Sequence, residues 1–298
     1  MALLYSKSFK AKFLYSLTMF SRRLFLWQLL VLLTACKTTE TSKLEKLTIG
    51  VVSYGGGDQS IEQYSPLVQY LEAKLKMIIE LEPAYNEIKA LEQIKRRNWS
   101  LVFAPAGLAA IAIFEQQYSP IFPLEGVANT RSLIVVREES PIKKLTDLKG
   151  KAIALGQPGS ATGYYLPLYD LYGLTLAEVR IAPTPKTVLE WIDKKEVAAG
   201  ALSLAELERY GKDFPQTKYR VLHTNPVPPG AIIVGSTVEL YQQERIRQAL
   251  ASASPNAIAA VGYLPDTKVP DYKPLMEIIA KVRPIAERTK DKPAYLHK

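Results

Sequence analysis

From Leu47 onward the chain repeats one unit, an apolar strand followed by a small-residue loop and an amphipathic helix, and that alternation limits the fold more than any other feature. Leu47 to Val52 reads as a buried strand. Tyr54, Gly55, Gly56 and Gly57 follow as a loop, then a helix from about Ile61 to Lys76 with Leu67, Tyr70, Leu71 and Leu75 on one face. The unit recurs as a strand from Met77 to Leu81, a helix from about Asn86 to Arg97 with Ile88, Leu91 and Ile94 inward, and a strand from Leu101 to Ala104 ending at Pro105. Alternating strands and helices predict an α/β fold with a mainly parallel sheet covered by helices on both faces.

A second set of units begins with the unbroken apolar run Leu133 to Val136. It continues through a strand from Ala152 to Leu155, the loop Gly156 to Gly163, a helix to about Tyr172, a strand from Val179 to Ala182, a helix from Thr184 to Lys195 and a strand from Ala198 to Leu202. These suffice for a second sheet. Asn225, Pro226, Val227, Pro228, Pro229 and Gly230 form the most Pro/Gly-dense stretch and precede the apolar strand Ala231 to Val234, which suggests a stiff crossing between two lobes. The expected division is residues 47–129 plus 231–298 for the first lobe and 130–230 for the second, with crossings near 127–131 and 225–231. The helical stretch Lys273 to Arg288 closes the chain without a glycine loop of its own.

The N-terminus reads as targeting sequence. Its charges before residue 37 are Lys7, Lys10, Lys12, Arg22 and Arg23, and no acid precedes Glu40. From Leu24 to Ala35 only Gln28 and Thr34 are not apolar, a run shorter than the roughly 20 residues of a membrane-spanning helix. It ends in Leu33, Thr34, Ala35 and Cys36, which resembles the bacterial lipobox. Residues 1–36 are therefore expected to be a signal peptide with Cys36 as the lipid-attachment residue, an ordinary secretory signal being the other reading. Residues 37–46 are polar and aperiodic, as a tether would be. Ser21, Arg22, Arg23, Leu24, Phe25 and Leu26 resemble the twin-arginine export signature, although paired arginines also occur in Sec signals. Met19 to Cys36 is by itself a complete short signal, so Met19 is an alternative start.

The formal charge of +9 belongs largely to this segment. It holds five of the 38 basic residues and none of the 29 acidic ones, which leaves 33 against 29, about +4, for the remainder. No basic cluster interleaved with aromatics is present, which argues against nucleic-acid binding, while a mild positive balance permits an anionic ligand. A lone cysteine cannot form an intramolecular disulfide, so the fold rests on its core. With His223 and His297 the only histidines, a histidine-based triad or His-rich metal site is implausible. No metal or cofactor is expected, and no enzyme activity. The carboxylates, among them Glu87, Glu92, Glu206 and Glu208, read as solvated helix faces without an acid/base pair.

The most informative motif is Gly159, Ser160, Ala161, Thr162, Gly163, Tyr164, placed after a strand and opening a helix. Backbone N–H groups at a helix start lack intrahelical partners, so small hydroxyl residues there can cradle an oxyanion. Two readings fit: an oxyanion cradle, or a plain N-cap through Ser160 or Thr162. Ligands in open α/β sheets bind outside the carboxyl ends of the strands, which adds Ser53, Tyr54, Tyr85 and Ser203 as candidates for the opposing wall; for Tyr54, Tyr85 and Tyr164 partly exposed packing is the alternative. Thr184 before Pro185 reads as an N-cap with proline at the first helical position.

The order of segments resembles the phosphate/phosphite/phosphonate-binding components of bacterial ABC importers. The residues that carry the resemblance are Ile134 to Arg137 with Leu145 to Lys151, then Pro158 to Tyr164, then Ala199, Gly200 and Ala201. The resemblance implies a two-lobed periplasmic-binding-protein architecture of type 2, the Venus-flytrap form, closing over a ligand gripped by hydroxyls at the helix start. It implies as partners a small anionic solute and an ABC permease, and as location the periplasmic face of the inner membrane, with a monomer expected. Three departures stand out. Ser160, Ala161, Thr162 replaces the usual Ser-Thr-Ser; Ala104 to Leu108 carries no ligand-facing tyrosine; and Ala198 and Ala199 precede Gly200 where an acidic residue would meet an amine. An aminoalkylphosphonate ligand is therefore not expected. Alternatives are a ligand-free sensory or assembly partner on the same scaffold, or a binder of another solute such as a sulfonate.

Overall fold

The computed structural model describes residues 45–54, 57–125 and 130–297. The expected signal peptide, Cys36, most of the tether and the first part of the crossing at 127–131 lie outside the described residues. In chain order the elements are β1 (Lys46–Val52), α1 (Gly57–Leu75), β2 (Ile78–Ala84), α2 (Glu87–Lys95), β3 (Leu101–Ala104), α3 (Ala106–Gln116), β4 (Ser119–Pro123), β5 (Arg131–Arg137) and β6 (Ala152–Leu155). A π-helical turn (Ala161–Tyr165) leads into α4 (Leu166–Asp170), then come β7 (Thr175–Leu176), β8 (Glu178–Ile181), α5 (Pro185–Asp193), β9 (Ala199–Ser203), α6 (Leu204–Tyr210) and β10 (Tyr219–Pro226). The chain ends with β11 (Ala231–Val234), α7 (Leu240–Ala251), α8 (Pro255–Val261), α9 (Lys273–Ala286) and β12 (Ala294–Tyr295).

Two five-stranded sheets result, in the orders β2-β1-β3-β11-β4 and β10-β5-β9-β6-β8. Within each, one strand runs against the other four: β11, antiparallel to both β3 and β4, and β5, antiparallel to both β9 and β10. Each reversed strand is the first after a crossing from the other sheet, so the two lobes share one topology built from exchanged strands. The remaining pairs β1/β2, β1/β3, β6/β8 and β6/β9 are parallel, as βα alternation requires.

Period-two alternation places the core. In β5, Leu133 and Val135 join the apolar cluster that includes Val188, Leu189 and Ile192 of α5, whereas Ile134 and Val136 face a larger cluster. In β3 and β11, Leu101, Phe103, Ile232 and Val234 lie with Leu67 and Leu71 of α1, while Val102, Ala104, Ala231 and Ile233 face that same larger cluster. The larger cluster therefore runs between the lobes, from α3 through Tyr164, Tyr165 and Leu168 to α9.

The chain passes from one sheet to the other between β4 and β5 and returns between β10 and β11, and the Val227 N–H donates to the Thr130 carbonyl at 3.0 Å. A third crossing was not expected. Within residues 231–298, α9 packs against both α3 and α4, and β12 pairs antiparallel with β7, Ala294 opposite Leu176. The reason is a continuous stripe of Leu275, Ile279, Val282 and Ile285 on α9, which is buried only by lying across both lobes. Tyr272, at the start of α9, donates its hydroxyl to the Pro229 carbonyl at 2.7 Å, tying the third crossing to the second. Among the described residues no helix is long and apolar enough to cross a membrane.

Candidate ligand-binding cleft

Several strand-to-helix junctions meet between the sheets. After β6 the chain enters the loop Gly156 to Gly159, where Gly159 has φ +112°, a backbone that only glycine adopts without strain. Ser160 then caps the π-helical turn: its Oγ accepts the Gly163 N–H at 2.9 Å, and Gly163 O in turn accepts from the Gly156 N–H at 2.8 Å. The Thr162 carbonyl accepts from the Ser132 hydroxyl at 2.7 Å, which fixes the turn to β5. Single π-helical turns concentrate at functional sites because the extra residue redirects backbone groups. Ser160 Oγ lies 3.4 Å from Thr162 Oγ1. An oxygen that accepts an N–H still carries its own proton as a donor, so the cap and the oxyanion cradle are compatible roles for Ser160.

From the first lobe α2 supplies the opposing wall. Asn86 caps it by accepting the Lys89 N–H at 2.9 Å, the Ile88 N–H reaches Gln157 Oε1 at 3.5 Å, and Glu87 in the first turn is only 5% exposed. Gly107 at the start of α3 makes the other interlobe approach: a Cβ there would lie 2.2 Å from the Gly159 carbonyl oxygen. The cavity between these walls is lined by Glu87, Gln157, Ser160, Gly163, Thr184 and Glu206 among others and measures about 10 Å³, the space of about one water molecule.

The cavity is acidic. Burial pushes the Glu87 carboxyl up to about 7; a hydrogen bond donated by the Tyr54 hydroxyl opposes this and the charge of Glu206 adds to it. Tyr54 is itself raised well above its ordinary value, first by burial and then by the Glu87 and Glu206 charges. Glu206 is raised by burial, against the hydrogen bonds it accepts at Ser203. No group of three or more potential metal ligands occurs among the described residues.

The residues expected from the sequence divide into three groups. Ser160 and Gly163 line the cavity, and Ala161 and Thr162 belong to the same turn. Tyr54 reaches it through Glu87, while Ser53 is buried beside it with its N–H donated to the Ala84 carbonyl at 2.8 Å. Ser203 caps α6, exchanging hydrogen bonds with Glu206. Tyr85 and Tyr164 do not line the cavity: Tyr85 is 60% exposed, and Tyr164 is buried edge-on against Tyr165. Thr184 caps α5 as expected, accepting the Thr187 N–H at 3.2 Å, and also lines the cavity.

The reading of Glu87 and Glu206 as solvated helix faces is corrected: both face the cleft. Each opens a helix that follows a strand, and Ser203, Leu204, Ala205, Glu206 is a capping-box spacing, so the junction rule used for Ser160 could have found them. The absence of an acid before Gly200 therefore does not leave the site without carboxylates.

Comparison with known proteins gives the same architecture. XAC2383 from Xanthomonas citri, solved with ATP, is 23% identical over 82% of this chain and 98% of its own, with a TM-score of 0.66. PhnD1 from Prochlorococcus marinus, in complex with methylphosphonate, is 16% identical over 80% and 98%, also at 0.66. The aliphatic sulphonate binding protein SsuA from Escherichia coli is more distant, 22% identical over 72% of each chain at 0.51. No curated protein sequence matches the chain significantly. The fold is that of the type 2 periplasmic binding proteins. The sequence profile described as ABC transporter, phosphonate, periplasmic substrate-binding protein matches residues 49–284, and the chain belongs to that family of transport substrate-binding proteins.

Proposed function

We propose that the protein captures a small oxyanion of the phosphate, phosphite or phosphonate class between its two lobes and presents it to an ABC permease. The observation that carries this reading is the Ser160 to Gly163 turn, a set of hydroxyl and backbone donors opening into a cleft formed by both lobes. The methylphosphonate complex of PhnD1 supports the ligand class. A phosphonate is larger than the cavity, so lobe separation about the crossings at 127–131 and 225–231 admits the ligand and closure holds it. Ser53, Tyr54 and Ser203 complete the walls.

A thermal-shift screen against phosphate, phosphite, methylphosphonate, 2-aminoethylphosphonate, an alkylsulfonate and nitrate tests it. A specific stabilisation by a phosphorus oxyanion is expected, because a ligand that binds only the folded chain raises its melting temperature. Stabilisation by the sulfonate alone would transfer the site to that class, and silence from all six would favour a ligand-free partner role.

The lipid anchor belongs to the same proposal. Cys36 begins the mature chain, followed by about ten tether residues. One acyl chain gives only marginal membrane binding, so stable anchoring calls for the multiply acylated terminus that a lipobox directs. Cys36→Ser is expected to move the protein from the membrane to the soluble fraction while leaving ligand affinity unchanged. A variant that stays with the membrane after high-salt washing would refute it.

A further inference from the structure

The cleft poses a charge problem. Its walls bring Glu87 from one lobe against Glu206 from the other, and no lysine or arginine lines it. The cations nearest the two carboxylates in sequence have partners elsewhere: Lys89 pairs with Glu92 at 3.0 Å and the Arg209 guanidinium lies over the Tyr210 ring, while Lys186, next to Pro185 on the cavity wall, is exposed and paired with Asp213 at 2.6 Å. Besides Glu206, the titratable group facing Glu87 is Tyr54, which donates to it from the loop after β1; Tyr210 on α6 acts on Tyr54. Gln157, Ser160 and Thr184 on the remaining walls are neutral. Glu87 is buried and Glu206 partly buried, and two such carboxylates without a counter-charge repel each other and any anion placed between them.

We propose that closing the lobes takes up one proton at Glu87, so that an anion is held together with that proton unless the ligand carries a cationic group of its own. This rests on the oxyanion reading for its ligand, but the proton uptake itself belongs to the closed cleft. Protonated Glu87 keeps an acceptor oxygen for Tyr54 and gains an O–H donor, which turns a repelling wall into a hydrogen-bonding one. Opening returns the carboxyl to water and to its ordinary range. Because the closed form holds the raised value of about 7, the closure it favours is fully present below the ordinary carboxylate range and is lost as pH rises through about 7.

Small-angle scattering of the protein without ligand at about pH 5.5 and about pH 8.5 reads the closure. The wild type is expected to expand at the higher pH, and Glu87→Gln, which fixes the neutral form, to stay compact at both. Glu206→Gln removes a charge that raises Glu87 and should reduce the expansion at the higher pH. A wild type of constant dimensions, or a Glu87→Gln protein that expands as the wild type does, would overturn the proposal.

Calorimetry with methylphosphonate supplies a separate arm, with the Glu87→Gln protein as reference for the ligand's own titration. Relative to that variant, wild-type affinity should fall about tenfold per pH unit between the ordinary carboxylate range and about 7 and level off above it, whereas 2-aminoethylphosphonate should escape the fall. Equal pH dependence in both proteins would count against the inference. Silence from all six compounds of the screen would overturn the oxyanion reading, and the scattering result alone would then decide this one.

Discussion

Ser160→Ala combined with Thr162→Ala is expected to weaken binding of the captured anion about 100-fold or more. Hydrogen bonds to charged groups contribute roughly 1.5 to 3 kcal/mol each, and about 1.4 kcal/mol is tenfold in affinity. The geometry makes the estimate specific. Ser160 Oγ spends an acceptor site on the Gly163 N–H and keeps its own proton, which turns from the contact with Thr162 to a ligand oxygen. Its neighbour Thr162 Oγ1, 3.4 Å away, supplies the second donor. Loss of the cap costs about 1 kcal/mol of stability as well, a shift of about 2 to 4 °C for a domain of this size. Thermal unfolding without ligand and titration calorimetry with the anion selected by the screen separate the two effects. Affinity unchanged in the double variant would remove the turn from the site.

Trp99→Ala should destabilise the fold by about 3 to 5 kcal/mol, the range for removing a large buried aromatic. Trp99 is fully buried, and its ring lies against β1 at Gly50, where a Cβ would come within 2.0 Å of the indole. Its carbonyl accepts the Tyr118 hydroxyl at 2.9 Å, so the residue joins β1, the start of β3 and the turn into β4. The indole Nε1 has no hydrogen-bond partner among the described residues. Trp99→Phe keeps a ring beside Gly50 and removes that unpartnered N–H, so it should recover part of the loss. Urea unfolding of the three proteins checks this, and a Trp99→Ala midpoint within error of wild type would show that the pocket collapses around the smaller residue.

What could be read along the chain follows from local physics. Leu101 to Ala104 and Ala231 to Val234 were legible as strands because all four residues of each are apolar, with both sheet faces covered. The Thr184 cap was legible because its hydroxyl and the following proline act within one turn. The helix from about Ile61 begins instead at Gly57, since the glycine run that looked like a loop continues into the helix. Ser160 to Gly163 stood out as a capped helix start for the same local reason, a small hydroxyl residue following a strand.

The alternation of strands and helices by itself determined the two α/β lobes, and the proline-dense Asn225 to Gly230 stretch marked one crossing between them. Only the tertiary structure decided that the C-terminal helix spans both lobes, because a stripe of four apolar residues fits any apolar surface and does not say which. Only it decided that Glu87 and Glu206 share a cleft. A carboxylate near a helix start looks solvated in sequence, and the burial of Glu87 depends on a wall that begins 70 positions away at Gln157. That opposing wall changes the chemistry of the site from a simple anion cradle to one that must account for two acidic groups.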